Sequence, residues 1–281
     1  MTTPAVSAQP APSTTVPILD ASAWREFRGV PASAGINPTT HLAKVADPAG
    51  KLRDCFVKLM RPGPALLCEA IGWTLARASG VACPTFGAIL LVPVEELRKS
   101  VALPLELNGA ALWPAWCSEV VGGKSVRQVH KWAFYFAKKN LFRSQDARKI
   151  AAFDKWTDLR DRNFGNVIRS PKGGYAAIDH ETLLHDLLWL PMGVKWEERC
   201  LMVEAGKALS GVDFKRFQVD MAQAAKGHGP ALAAVQGELD AIVARLVPVP
   251  AAAAQLSQNI AAALAQRSTP TWMAGHLQVI V

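Results

Sequence analysis

Apolar and polar residues divide the chain into two halves of different rhythm. Residues 1–17, "MTTPAVSAQPAPSTTVP", carry almost only Pro, Ser, Thr, Ala and Val and are expected to be a disordered tail. From Ile18 to Lys58, short apolar patches alternate with Gly29, Gly35 and Gly50, the pattern of a small twisted sheet. It ends in "CFVKLM" (55–60), a buried strand with one lysine in its middle. "RPGP" breaks the strand. In "ALLCEAIGWTLARASG" the residues Leu66, Ala70, Ile71, Trp73, Leu75 and Ala78 then recur at helical spacing, and Gly80 supplies the stop. "PTFGAILLV" (84–92) and "WPAWCSEVV" (113–121) read as strands flanking a loop at 93–112, and "GGKS" interrupts the chain after them.

Beyond that break the period changes. "VRQVHKWAFYFAKKN" and "QDARKIAAFDKWTDLR" predict helices, and "NVIRSPKGGYAAIDH" predicts a hairpin with a Pro-Lys-Gly-Gly turn. "ETLLHDLLWL", "KWEERCLMVEAGKALS", "DFKRFQVDMAQAAK" and "PALAAVQGELDAIVARLV" read as further helices, and the Ala-rich stretch from Pro248 as one loose helix. The expected organisation is a tail (1–17), a sheet-rich unit with one helix (18–121), a helical unit (122–247) and an Ala-rich tail (248–281).

Composition narrows the function classes. The chain has 281 residues, half of them hydrophobic and 19% charged, ordinary values for a globular protein. A formal charge of +8 calls for an anionic partner: a nucleotide, a nucleic acid or an acidic protein surface. The densest basic stretch, "KKNLFRSQDARK" (138–149), reads as a solvated helix face rather than a DNA-binding stripe, so nucleic-acid contact is expected to be indirect if it occurs. Five scattered cysteines without a CxxC pair argue against a zinc site or a disulfide framework and suit reduced thiols in the cytoplasm. No secretory pattern opens the chain, and "VACPTFGAILLVPV" is too short and too proline-broken to span a bilayer, so no membrane partner is expected.

The chemistry concentrates in "DLRDRNFGN" (158–166) and "YAAIDHE" (175–181). Asp161 and Asn166 form a D-x-x-x-x-N turn, and Asp179 follows the next strand. Phosphoryl transfer uses an oxygen base near the acceptor hydroxyl and oxygen ligands for magnesium, and this order supplies both. Read singly, each residue is also a common turn former. Lys58 in an apolar strand must leave the core or find a partner, and Glu69 is the one acidic residue on the helix that follows. "GVPASAGIN" (29–37), with Ser33 and Gly35, offers a loop whose amides could cradle a phosphate, although it fits no strict GxGxxG and also suits a plain hairpin. His180 reads as a satisfied structural histidine rather than one that packs beneath a metal site or orients Asp179, Arg162 as an anchor for a carboxylate or phosphate or as a surface residue, and Trp113 or Trp116 as the wall of an adenine slot.

Taken together, "FVKLM", "EAIGWTLARASGVACPTFGAIL", "FDKWTDLRDRNFGNVI" and "AIDH" resemble the HipA-like kinases, in that family's order, over roughly residues 30–190. The resemblance implies an α+β, two-lobed protein-kinase-like fold with a small sheet-rich N-lobe and a helical C-lobe. It implies ATP and Mg2+ as cofactors, and transfer of the γ-phosphoryl group to a Ser or Thr of a protein substrate. Asp161 would be the catalytic Asp, Asn166 and Asp179 the magnesium ligands, Lys58 the contact to ATP phosphates and Glu69 its holder. An antitoxin-like regulator is a partner known in that family. Two departures stand out: Asn163 replaces a His of the Asp-Arg-His loop, and Ala34 replaces the second Ser of a Ser-x-Ser-Gly loop, so self-phosphorylation there is not implied. Two rival readings remain: a small-molecule or lipid kinase with the same loop, and an inactive kinase-like scaffold.

Overall fold

Strand β4 (Leu52–Leu59) buries Cys55, Val57 and Leu59 on one face and leaves Phe56 and Lys58 half-buried on the other, and this sets up the architecture. The computed structural model describes residues 15–31, 39–129, 131–269 and 271–281. Around β4 lies a mixed six-stranded sheet in the order β1-β5-β6-β4-β3-β2, with β1 Ile18–Leu19, β2 Trp24–Gly29, β3 His41–Ala46, β5 Gly87–Pro93 and β6 Leu112–Glu119. Only β1 joins its neighbour in parallel; the other pairings are antiparallel. On one face Cys55, Val57 and Leu59 pack with Ala43, Val45, Leu90, Val92 and Cys117. Helix α2 (Val94–Arg98) inside the expected 93–112 loop covers this face with Val94 and Leu97. Because strand side chains alternate, Lys58 points to the opposite face, where its cross-strand neighbour is Trp116.

That face is covered by α1 (Ala65–Ala78), whose residues from Leu66 to Ala76 are all buried. A helix apolar on every side belongs in a core, and α1 lies between the sheet and the helical half, so Glu69 is carried inside with it. The Trp73 indole donates to the Pro84 carbonyl at 2.8 Å and meets Trp116 edge-on. Gly72 brings α1 close to the segment after the hairpin: a Cβ there would lie 2.4 Å from the His180 Cβ. Helix propensity alone would favour Ala by about 1 kcal/mol, but the clash is with the root of a buried side chain. Gly72→Ala is therefore expected to destabilise the protein by about 1–3 kcal/mol. Urea denaturation checks this, and unchanged or increased stability would show that α1 has room to shift.

A second sheet, β7-β8-β9 (Lys124–Ser125, Val167–Arg169, Tyr175–Ala177), opens the helical half with the expected hairpin. Ala177 N–H donates to the Ala82 carbonyl at 2.8 Å, tying β9 to the loop beyond α1. Helices α3 (Lys131–Arg143), α4 (Gln145–Trp156), α5 (Leu201–Ala208), α6 (Gly211–Ala225), α7 (His228–Leu246), α8 (Pro250–Arg267) and α9 (Trp272–Leu277) follow. Phe142, Ile150, Phe153, Trp156, Phe217 and Leu239 are among their core residues. The coarse expectation of an α+β chain, sheet first and helices after, holds.

Several finer expectations do not. The tail expected over 1–17 is ordered at its end: Val16 is buried, its N–H donates to Glu238 Oε1 (2.9 Å) and its carbonyl accepts from Arg245 (3.2 Å). Residues 1–14 lie outside the described residues. "ETLLHDLLWL" forms only a single wide turn at His185–Trp189. Its amides are taken by the end of α4 instead, Leu184 N–H by the Thr157 carbonyl and Asp186 N–H by Asp158 Oδ2. "KWEERC" runs extended beside residue 161, and only from Leu201 does the chain become helical. The Ala-rich tail is not loose: Ala253, Ile260 and Leu264 are buried, and the Trp156 indole donates to the Leu264 carbonyl at 3.0 Å. All five cysteines are buried free thiols, and among the described residues no helix is long and apolar enough to cross a membrane.

Candidate functional site

The face of β4 that turns toward α1 delivers the Lys58 ammonium to three carboxylates from two other parts of the chain. Its Nζ lies 2.7 Å from Glu181 Oε2, 3.1 Å from Asp179 Oδ1 and 3.7 Å from Glu69 Oε1. The Lys58 side chain is 14% exposed and Glu69 2%, whereas Asp179 and Glu181 keep about a third of their surface open to solvent. The group is thus rooted in the core and open at one end. Burial alone would discharge Lys58, but Asp179, Glu69 and Glu181 outweigh it and raise its pKa above the ordinary lysine value. Burial and the repulsion of Asp179 push the Glu69 carboxyl up to about 8, against the pull of Lys58. Burial also disfavours the charged form of Asp179, yet Lys58 overcomes this and holds its carboxyl below the usual carboxylate range. Glu181 is shifted up by burial and by Asp179.

Glu69 has a second task. Its Oε2 accepts the His180 N–H at 2.8 Å, so the strand lysine and the residue after Asp179 are held by the same carboxylate. The His180 ring packs edge-on against Phe153, and burial keeps it neutral, well below its ordinary pKa. Asp179 has φ +64°, the left-handed region that Asp tolerates better than most residues. Such a conformation persists when surrounding bonds enforce it.

Those bonds come from Arg162, which is fully buried rather than on the surface. Its Nε and Nη2 grip the equally buried Asp154 of α4 at 3.1–3.2 Å. Its Nη1 donates to the Ile178 carbonyl, and to those of Asp179 (3.3 Å) and Asn166 (3.5 Å). One guanidinium therefore ties the 161–166 turn to the 178–179 segment, and Ile178 N–H adds a 3.1 Å bond to the Asn166 carbonyl.

Within the turn, Asp161 N–H donates to Thr182 Oγ1 at 3.0 Å. Asn163 caps the turn through Gly165 N–H (2.7 Å) and donates Nδ2 to Asp161 Oδ1 (3.2 Å), orienting that carboxylate. Asn166 Nδ2 donates to the Asp161 carbonyl at 3.0 Å, which commits the amide nitrogen and leaves Oδ1 as an acceptor. Asn166 Oδ1 and the Asp179 and Glu181 carboxylates are oxygen donors of the type a hard divalent cation takes, and the two carboxylates meet at the Lys58 ammonium. With Lys58 counted against Glu69, Asp179 and Glu181, negative charge is in excess whenever the acids are ionised.

The structure thus places Lys58, Glu69 and Asp179 in one cluster, and Asn166 on the backbone bonded next to it. Glu181, Asp154 and Asn163 join them, and Arg162 takes the carboxylate-anchor role on Asp154. Ser33 and Gly35 lie outside the described residues. Trp116 is core, against Trp73, while the Trp113 indole donates to the Met60 carbonyl at 2.7 Å beside a shallow depression lined by Thr39, Leu59, Arg61 and Leu107.

A second acidic group, Asp158–His185–Asp186, has the closeness of a metal site but not its vacant donors. His185 Nε2 accepts the Trp196 N–H, so Nδ1 carries the proton that it gives Asp186. Arg160 and Arg267 occupy the Asp158 carboxylate. It is a salt-bridged knot between α4 and α8. No protein-family model matches the chain, and no curated protein matches it.

Proposed function

We propose that the chain is an ATP- and magnesium-dependent kinase of two-lobed, protein-kinase-like architecture that phosphorylates a Ser or Thr hydroxyl of a protein. The observation that carries this reading is the strand lysine held jointly by a helix glutamate and by the Asp that follows the hairpin. Kinase chemistry asks for that lysine–glutamate pair, for an Asp and an Asn from a D-x-x-x-x-N turn, and for a second Asp as metal ligand.

Magnesium-ATP brings the transferable γ-phosphoryl group and the cation that neutralises it. Asn166 Oδ1 and Asp179 would hold that cation, with Glu181 at hand. Lys58, kept charged by its carboxylates and steadied by Glu69, binds the phosphate oxygens as a fixed positive point. Asp161, with one oxygen tied by Asn163, keeps the other for the acceptor hydroxyl, orienting it and accepting its proton as the oxygen attacks. Five buried free thiols suit a reducing compartment, which supports a cytoplasmic location.

Thermal denaturation with and without magnesium-ATP tests the reading directly. A ligand at about 100 times its dissociation constant adds roughly 2.7 kcal/mol of apparent stability. A rise in Tm with magnesium-ATP, absent in Lys58→Met, together with transfer of label from γ-labelled ATP to protein, is expected. No shift at millimolar magnesium-ATP would sink the proposal.

A further inference from the structure

The excess of positive charge is not spread over the molecule. Between residues 124 and 149 there are eight Lys and Arg against one Asp, an excess of seven out of the chain's formal +8. Elsewhere most basic side chains have a carboxylate partner, as in Lys44–Asp54, Arg53–Asp47, Lys99–Glu96, Lys155–Glu198 and Lys207–Glu204. In this segment only Arg148 has one among the described residues, Asp220. The lone acid, Asp146, is engaged by the Tyr175 N–H.

Two features show that the charge is held together against its own repulsion. On α3, Tyr135, Lys139 and Arg143 form a stripe at i, i+4 spacing, exposed at Tyr135 and Arg143 and half-buried at Lys139, with no acid anywhere on the helix. In the neighbouring sheet, Lys124 on β7 stands directly opposite Arg169 on β8, both exposed. Like charges opposed across strands destabilise a sheet, and an anionic ligand removes that cost. Tyr135 and Phe136 are each about 60% exposed on the same helix, an apolar pair without a cover among the described residues.

This surface adjoins the candidate site. Phe164 lies between Asp161 and Asn166 and packs edge-on against Phe134 of α3 at 5.4 Å, and the Lys138 amine lies over both rings. Arg127 reaches Gly165 in the same turn.

Resting on the kinase reading above, we propose that α3 and the β7–β8 edge dock an acidic segment of the protein substrate and so present its hydroxyl to Asp161. Glu and Asp side chains of that segment pair with Lys124, Arg127, Lys139, Arg143 and Arg169, and an apolar residue seats on Tyr135 and Phe136. The two exposed rings meet at 82°, so they form no parallel shelf for successive bases, which favours an acidic peptide over single-stranded nucleic acid.

The test uses the full chain and a fluorescein-labelled peptide holding one Ser and one Leu among Glu residues. Its controls are the same peptide with Lys for Glu and a labelled single-stranded RNA of similar length. Anisotropy should show binding of the acidic peptide that weakens with salt and falls about tenfold in Lys139→Glu/Arg143→Glu. Tyr135→Ala/Phe136→Ala should weaken it in a salt-independent way. Transfer to that peptide should lose through KM, with kcat kept. Equal binding by the charge-reversed variant, or by the Lys peptide, overturns the proposal. So does RNA that binds more tightly and is lost in the same variant. Peptide binding without any magnesium-ATP stabilisation would keep the surface and remove the kinase; stabilisation without peptide binding would do the reverse.

Discussion

Asp179→Asn should lose phosphoryl transfer by about 10²–10³-fold or more while the protein stays folded. Asn is the informative replacement because it tolerates the left-handed backbone at φ +64°, whereas Ala would add strain of its own. The substitution removes one of the three carboxyl groups around Lys58 and leaves Glu69 and Glu181 to hold the ammonium. The Arg162 bonds reach the carbonyls of 178 and 179, not the carboxylate, so the segment keeps its course. The loss should therefore appear in transfer and in the magnesium dependence of ATP binding, with little change in Tm without ligand. Titrating magnesium at fixed ATP separates the outcomes. A variant with wild-type transfer and unchanged magnesium requirement would show that Asp179 is only a counter-ion for Lys58. A variant that unfolds would show instead that the Lys58–Asp179 pair is structural.

How much of this could be read from the chain depends on whether a residue broke a local pattern. Lys58 did, as a charge inside an apolar strand, and so did Glu69 on a helix otherwise apolar. Both had to find partners, and the structure places them 3.7 Å apart. Asp154 breaks its pattern in the same way, an acid inside "KIAAFDKW" where the helical period marks a core position. The rule applied to Lys58 would have found the buried Asp154–Arg162 pair, since a carboxylate there needs a cation and Arg162 is eight residues on. Glu181 and Asn163 break nothing: each is a polar residue in a polar turn, and only the three-dimensional convergence gives it a role. The expected helices that do not form fail for another reason. "ETLLHDLLWL" has adequate spacing, but a helix forms only if its amides have no better acceptor, and Thr157 and Asp158 at the end of α4 supply one. Competition of that kind lies between segments and leaves no trace within either.

Asp154→Ala should destabilise the chain by about 3–5 kcal/mol, the largest effect expected of any single substitution outside the cluster around Lys58. The cost does not come from losing a strong bond. Burial pushes the Asp154 carboxyl above its usual range despite the Arg162 charge, so the pair gains little over an apolar contact of equal shape. It comes from what is left behind: a guanidinium with no exposed surface and no counter-charge. A Leu pair at the two positions should recover much of the stability, because both polar groups then leave the core together. The same double variant should not recover activity, because nothing replaces the donors to the carbonyls of Asn166, Ile178 and Asp179 that hold the turn against the hairpin. Urea denaturation of the single and double variants, with phosphoryl transfer measured on each, divides the two roles. Stability and transfer restored together would mean that the turn and the hairpin find their places without Arg162, and that the pair is only a remnant of packing.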